Sequence, residues 1–250
     1  DTSSNTSNHF KQFEYTDDFK TAGVGFNGKL GVIYRPQDYI RLGLAIHTPT
    51  YMILTDTRTT YLSTEVENPV NQYSVNSQMF TNDQPGKSKY VQTTPFKAMI
   101  SASYVFREVE NTKKQRAFIS ADIEYVHHRG SRFSSNNEEP TEDEKAYYKA
   151  LNKVVKADYK GNFNFRVGGE LKFNVIMARL GFAYYGNPYK DAGYKASRML
   201  LSGGLGYRNK GMFIDLTYVH TISKDVSFPY RLQDRANTYA MLKQQRGNIV

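Results

Sequence analysis

The chain has 250 residues and a formal charge of +9, but its lysines and arginines form no compact block, so they read as scattered solvated charge and not as a nucleic-acid surface. It contains no cysteine, which excludes a disulfide framework and a thiolate metal site. Mean hydropathy is −0.62, and no apolar run reaches the ~18 residues of a membrane-crossing helix, although a barrel crosses with strands that are apolar only at alternate positions.

In chain order, residues 1–20 (DTSSNTSNHFKQFEYTDDFK) are polar and read as a loop, with a preceding segment expected. Residues 23–34 then alternate: Val24, Phe26, Leu30, Val32 and Tyr34 fall on one face, Asn27 and Lys29 on the other. Side chains repeat at period two along a strand, so the two sets point to opposite sides. The same pattern predicts strands over 39–47, 96–106, 117–126, 162–174, 176–185, 199–208 and 212–219, and a weaker ninth over 239–250. Between 129 and 160, Thr141 followed by Glu144 makes a capping box, with acidic residues after it and Lys later, so one helix is expected there. Its role is a gate over a barrel mouth or a loop ornament.

The apolar faces carry no charge. The opposite faces carry Lys29, Arg41, Lys97, Asp122, Glu124, Arg166, Glu170, Lys172, Arg179 and Asp215. A charge facing lipid near the midplane costs about 2–4 kcal/mol, so a bilayer would enforce this segregation. Connections alternate in length: short at 35–38, 110–115, Asn174 and 209–211, long at 49–93, 129–160, 187–197 and 221–238. Outer-membrane barrels have short periplasmic turns and long extracellular loops. From Phe163 to Phe173 the rise is roughly 33 Å, which at ~40° tilt spans about 25 Å, the height of an apolar barrel band. Tyr34, Phe106, Phe173 and Tyr207 at one end, with Tyr125, Tyr184 and Tyr218 at the other, are placed as the interface girdle. The expected fold is therefore all-β: a transmembrane antiparallel β-barrel of about nine strands, one domain over 1–250, in the bacterial outer membrane. Nine is odd and an open sheet cannot end in hydrocarbon, so an amino-terminal barrel segment, cut away or held as a separate chain, is expected to complete it.

Chemistry-bearing residues are sparse. His127 and His128 are adjacent on a strand and face opposite ways, so they do not share a metal, and His47 and His220 have no partner at ligand spacing. SGGLGYR is followed by no helix and is not a phosphate loop. The apolar faces offer no Ser/His pair for a lipase. No catalytic residue, metal or cofactor is expected, and the chain is not read as an enzyme. Candidates for contact with a ligand or plug in the lumen are Arg166, Arg179, Glu170 and Lys97, with Phe118, Met177, Leu200 and Phe213 as apolar groups on otherwise polar faces. Arg166 and Arg179 lie on neighbouring strands and suit a carboxylate, whereas a salt-bridged ladder filling the interior is the competing reading.

Two segments resemble a known family. GVGFNGKLGVIYRPQDYIRLGLAIHTPTYMILTD (23–56) and RMLLSGGLGYRNKGMFIDLTYVH (198–220) are similar to the FadL/TodX outer-membrane transporters of long-chain fatty acids and aromatic hydrocarbons, above all to members from Bacteroidetes-type bacteria. The resemblance implies a 14-stranded barrel of which residues 20–250 form the carboxyl-terminal part, strands 6 to 14, with several final residues missing after RGNIV. It also implies passive uptake of hydrophobic compounds. The family's kinked early strand and hatch belong to the part not matched here, so no ligand residue carries over. Two alternatives stand beside it: a scaffold or docking barrel for an export or surface-protein complex, and haem uptake.

Overall fold

A computed structural model describes residues 10–67, 70–106, 116–228 and 238–250. In chain order these form β1 (Phe10–Phe26), β2 (Lys29–Gln37), β3 (Ile40–His47), β4 (Tyr51–Glu67), β5 (Val70–Asn76), β6 (Gly86–Thr93), β7 (Lys97–Phe106), β8 (Ala117–His127), β9 (Arg132–Ser135), α1 (Glu142–Asp158), β10 (Gly161–Phe173), β11 (Ile176–Tyr185), β12 (Arg198–Asn209), β13 (Met212–Ser227) and β14 (Ala240–Ile249). The chain divides into two compact units. One holds the residues up to Phe26 with Tyr51–Gln92 and Phe133–Tyr148; the other holds Asn27–Thr50, Thr93–Arg132 and Lys149–Val250.

The larger unit contains a nine-stranded sheet in the order β14-β13-β12-β11-β10-β8-β7-β3-β2. Eight of these strands fall where the alternation marks them, the expected 23–34 is divided, with 23–26 ending β1 in the other sheet and 29–34 in β2, and every neighbouring pair is antiparallel. Two of its hairpins turn on residues with positive φ. Asn209 pairs with Met212 across Lys210 (φ 44) and Gly211 (φ 90), the geometry whose twist matches antiparallel strands. Phe173 pairs with Ile176 across Asn174 (φ 53), a residue type that tolerates this region. The β2–β3 turn sits at Asp38–Tyr39, just past the expected 35–38, because a register shift between Tyr34 and Gln37 carries β2 further. The expected short turn at 110–115 lies outside the described residues. Long connections join β3 to β7, β8 to β10, β11 to β12 and β13 to β14, all at the other end of the sheet.

The smaller unit corrects two expectations. Residues 10–20, read as loop, belong to β1, and the long connection 49–93 contains β4, β5 and β6. β1 pairs with β4 along nearly its whole length, from Phe26↔Tyr51 to Phe10↔Val66; β6 and β9 continue that sheet, and β5 pairs with β4. These strands escape the alternation test because both faces carry charge or hydroxyl groups. FKQFEYTDDF and DTRTTYLSTE are rich in Thr, Tyr and Phe, residues that favour strands, but have no apolar side. Cross-strand pairs hold them instead: Arg58 Nε and Nη2 each donate to Asp17 at 2.8 Å, and Lys11 Nζ donates to Glu65 at 2.6 Å. The Arg58 guanidinium holds the Asp17 carboxyl below its ordinary range.

The helix expected between 129 and 160 is α1, and its capping box forms. Glu144 N donates to Thr141 Oγ1 at 3.2 Å, and Thr141 N donates back to Glu144 Oε2 at 3.3 Å. Glu142, Asp143 and Glu144 fill the first turn and Lys156 lies in the last, in the sense that the helix dipole favours.

Candidate functional site: the two faces of the nine-stranded sheet

Burial in this sheet is inverted relative to a soluble protein. The apolar alternates are the exposed ones: Leu180 is 76% exposed and Ile100 65%. The polar alternates are the sheltered ones: Glu124 is 7% exposed and Asn164 5%. One outward row reads Tyr104, Ile119, Gly169, Leu180, Gly203, Tyr218, with large residues beside glycines. At Gly169 a Cβ would come within 2.8 Å of the Phe118 carbonyl oxygen, so the close approach of β8 and β10 requires glycine there. Around Leu180 the outward face holds an apolar depression of about 840 Å³, lined by Ile119, Val167, Leu171, Phe182, Leu201 and Tyr218 among others.

The sheltered face is organised by two arginines. Arg166 stands directly opposite Asp122, and its Nε donates to Asp122 Oδ1 at 2.7 Å while Nη2 lies 3.9 Å from Glu124 Oε2. Asn164 Nδ2 donates to the other Glu124 oxygen at 2.8 Å, and Asn162 Nδ2 donates to Asn164 Oδ1 at 3.2 Å and to the Gly186 carbonyl at 2.7 Å. Arg179 stands directly opposite Glu170, donates to its Oε2 at 2.6 Å from Nε, and donates to Asp215 Oδ1 at 2.6 Å from Nη1. Each guanidinium also touches a thioether, Met99 Sδ at 3.6 Å and Met177 Sδ at 3.7 Å. Each arginine therefore faces two carboxylates, which compete with any ligand carboxylate for it.

The residues singled out from the sequence separate into groups. Arg179, Glu170 and Met177 come together, with Phe118 directly across from Glu170. Arg166 lies four residues up β10, roughly 13 Å away, and Leu200 shares its row through Ala183. Lys97 is paired with Val126 and His47 at the long-connection end, and Phe213 is paired with Arg208 at the short-turn end. Asn162, absent from the candidates, joins the Arg166 network because β10 begins at Gly161.

Of the aromatics placed at the strand ends, Tyr34, Phe106, Phe173, Tyr184 and Tyr218 are exposed; Tyr125 packs on Phe163 at 5.2 Å, and Tyr207 stands opposite Ile176 and Ile214. His127 Nδ1 lies 3.2 Å from the Tyr125 hydroxyl, and burial lowers the His128 pKa while a hydrogen bond to Asn162 raises it.

At the long-connection end, Tyr159, Tyr189, Tyr194, Phe228 and Tyr239 pack into one aromatic cluster with centroid separations of 5.0–5.7 Å. Burial and the Tyr159 hydroxyl push the Tyr189 pKa up.

No protein-family model and no curated protein matches the chain. Among solved structures it is similar to a Pseudomonas aeruginosa FadL homologue, with a TM-score of 0.44 and 13% identity over 92% of this chain and 66% of that one.

Proposed function

We propose that this chain is part of an outer-membrane β-barrel channel that admits hydrophobic compounds passively. The inverted burial of the nine-stranded sheet carries this reading. A soluble sheet would turn Leu180, Ile100 and Leu205 inward, whereas here they point out and Glu124, Asn164 and Arg166 point to the sheltered side. Lipid outside and water or a plug inside meets both requirements. The end strands β2 and β14 have one neighbour each in this sheet. Unpaired backbone groups cost several kcal/mol apiece in hydrocarbon, so further strands close the barrel. Their proposed source is an amino-terminal barrel segment, in the same protein or held as a second chain.

The likeness of 23–56 and 198–220 to FadL/TodX transporters supports a hydrophobic cargo. Along the wall from β8 to β13 a ligand would meet Phe118, Met177, Leu200 and Phe213 between occupied ion pairs. With both arginines held by carboxylates, this wall suits a neutral compound better than a fatty acid. Transport is the proposed activity, not catalysis.

Native mass spectrometry of protein extracted from outer membranes in mild detergent tests this. A released hydrophobic compound, with a second barrel segment in the same particle, supports the channel. A stoichiometric protein partner without a small molecule points to a scaffold. A 28.7 kDa monomer that stays dispersed without detergent overturns the barrel.

A further inference from the structure

Three basic residues share one row of the nine-stranded sheet at its long-connection end, within the larger unit. Lys29 on β2 is paired with His47 on β3, and His47 with Lys97 on β7. Residues paired directly across an antiparallel ladder put their side chains on the same face. That face is the sheltered one, because Lys97 is paired onward with Val126, and Val126 with Asn162, both of them buried. Among the described residues no carboxylate lies within salt-bridge distance of Lys29, His47 or Lys97. The carboxylates on the next strand, Glu124 and Asp122 of β8, stand opposite Met99 and Ser101 and are taken up by Asn164 and Arg166. Next to the basic row the same face holds a hollow of about 330 Å³. Its lining includes the two following rows on that face, Gly31 with Ala45 and Met99, then Ile33 with Gly43 and Ser101. Small side chains on β2 and β3 leave this space beside the cations. Neighbouring strands are about 4.8 Å apart, so Lys29 and Lys97 flank His47 closely enough for both flexible stems to bring their ammonium groups to one anion.

We propose that the row and the hollow together bind a phosphate monoester with a small apolar body. Lys29 and Lys97 meet the phosphate oxygens as point charges, an N–H of His47 donates to a further oxygen, and Ile33, Ala45 and Met99 meet the body. Two ammonium groups balance the roughly two negative charges of a monoester at neutral pH, which a single carboxylate does not supply. The hollow is near the lower limit of ligand pockets and takes a ring or a short chain. The inference goes beyond the channel reading and does not depend on it, because register and charge are the same whether the outward face meets lipid or water.

Isothermal titration calorimetry of the full chain in neutral detergent tests this with three probes: phenyl phosphate, benzoate and inorganic phosphate. Phenyl phosphate is expected to bind about tenfold tighter than either of the others, and the double variant Lys29→Gln/Lys97→Gln to lose about tenfold, the scale of one charge-assisted hydrogen bond. Lys29→Arg/Lys97→Arg should retain binding. Ala45→Leu, which fills the hollow, should bring phenyl phosphate down to the level of inorganic phosphate, a change that charge alone does not produce. Circular dichroism checks that each variant keeps its strands. No binding of phenyl phosphate, an unchanged Gln variant, or benzoate or inorganic phosphate binding as tightly as phenyl phosphate overturns the inference. If the protein requires detergent yet ignores phenyl phosphate, this inference alone fails. If it binds phenyl phosphate but stays dispersed without detergent, the channel reading alone fails.

Discussion

Arg179 carries two carboxylates, Glu170 and Asp215, each at 2.6 Å, so losing one leaves the guanidinium still paired. Glu170→Ala or Asp215→Ala alone should therefore cost little, while the double change leaves a half-exposed guanidinium unpaired and, with solvent screening it, should cost about 1 kcal/mol beyond the sum. A double-mutant cycle by reversible unfolding in lipid vesicles measures this; additivity would mean that the two carboxylates act independently. His128 behaves differently. Burial lowers its pKa against the opposing influence of Asn162 and Glu124, with Lys97 and His127 adding to the lowering. The unfolded chain thus takes up the proton first, and stability should decline as pH falls below about 6.5, toward the lower folded-state value. Melting in detergent at about pH 7.5 and about pH 5.5 reads this, and His128→Gln should flatten that part of the profile. Residue types alone showed which groups share a face. Which guanidinium meets which carboxylate depends on register between strands separated by dozens of residues, as in Arg166↔Asp122.

At the scale of elements, the strands of the large sheet were legible because a sheet whose two faces meet different surroundings writes that contrast into every second residue. Residues 10–20 of β1 and their partners in β4 were not legible, since neither face is apolar there and ion pairs such as Arg58–Asp17 cross between them. The helix was legible from its cap. Thr141→Ala removes the acceptor for Glu144 N and should cost about 1 kcal/mol of local helix stability. Hydrogen exchange over residues 142–146 should rise while the β10–β11 ladder stays protected; unchanged exchange would show that packing, not the cap, holds the helix start.

For the whole molecule, the deciding contrast is between the two faces of one sheet. Leu180 is 76% exposed, so in a soluble protein Leu180→Lys would be nearly neutral. In a bilayer the same change should cost about 2–4 kcal/mol near the midplane. Leu200→Lys, on the opposite face beside Ala183 and Thr221, should cost far less in vesicles. Unfolding both variants from vesicles gives the comparison, and equal small effects would remove lipid from the outward face. Among the described residues β2 and β14 each have one neighbour in this sheet, and on the proposed barrel reading further strands would have to pair with both.

The sequence by itself determined the nine strands, their two faces, the segregation of short and long connections and the capped helix. Each of these is a local pattern imposed by a period of two, a turn residue or a cap. Only the tertiary structure decided that Arg166 and Arg179 are already held by carboxylates, that residues 10–26 and 51–67 pair as long strands, and that Lys224 and Lys243 stand opposite each other in the β13–β14 ladder. These are matters of register between distant segments, and a one-residue slip, invisible in either strand alone, would change every one of them.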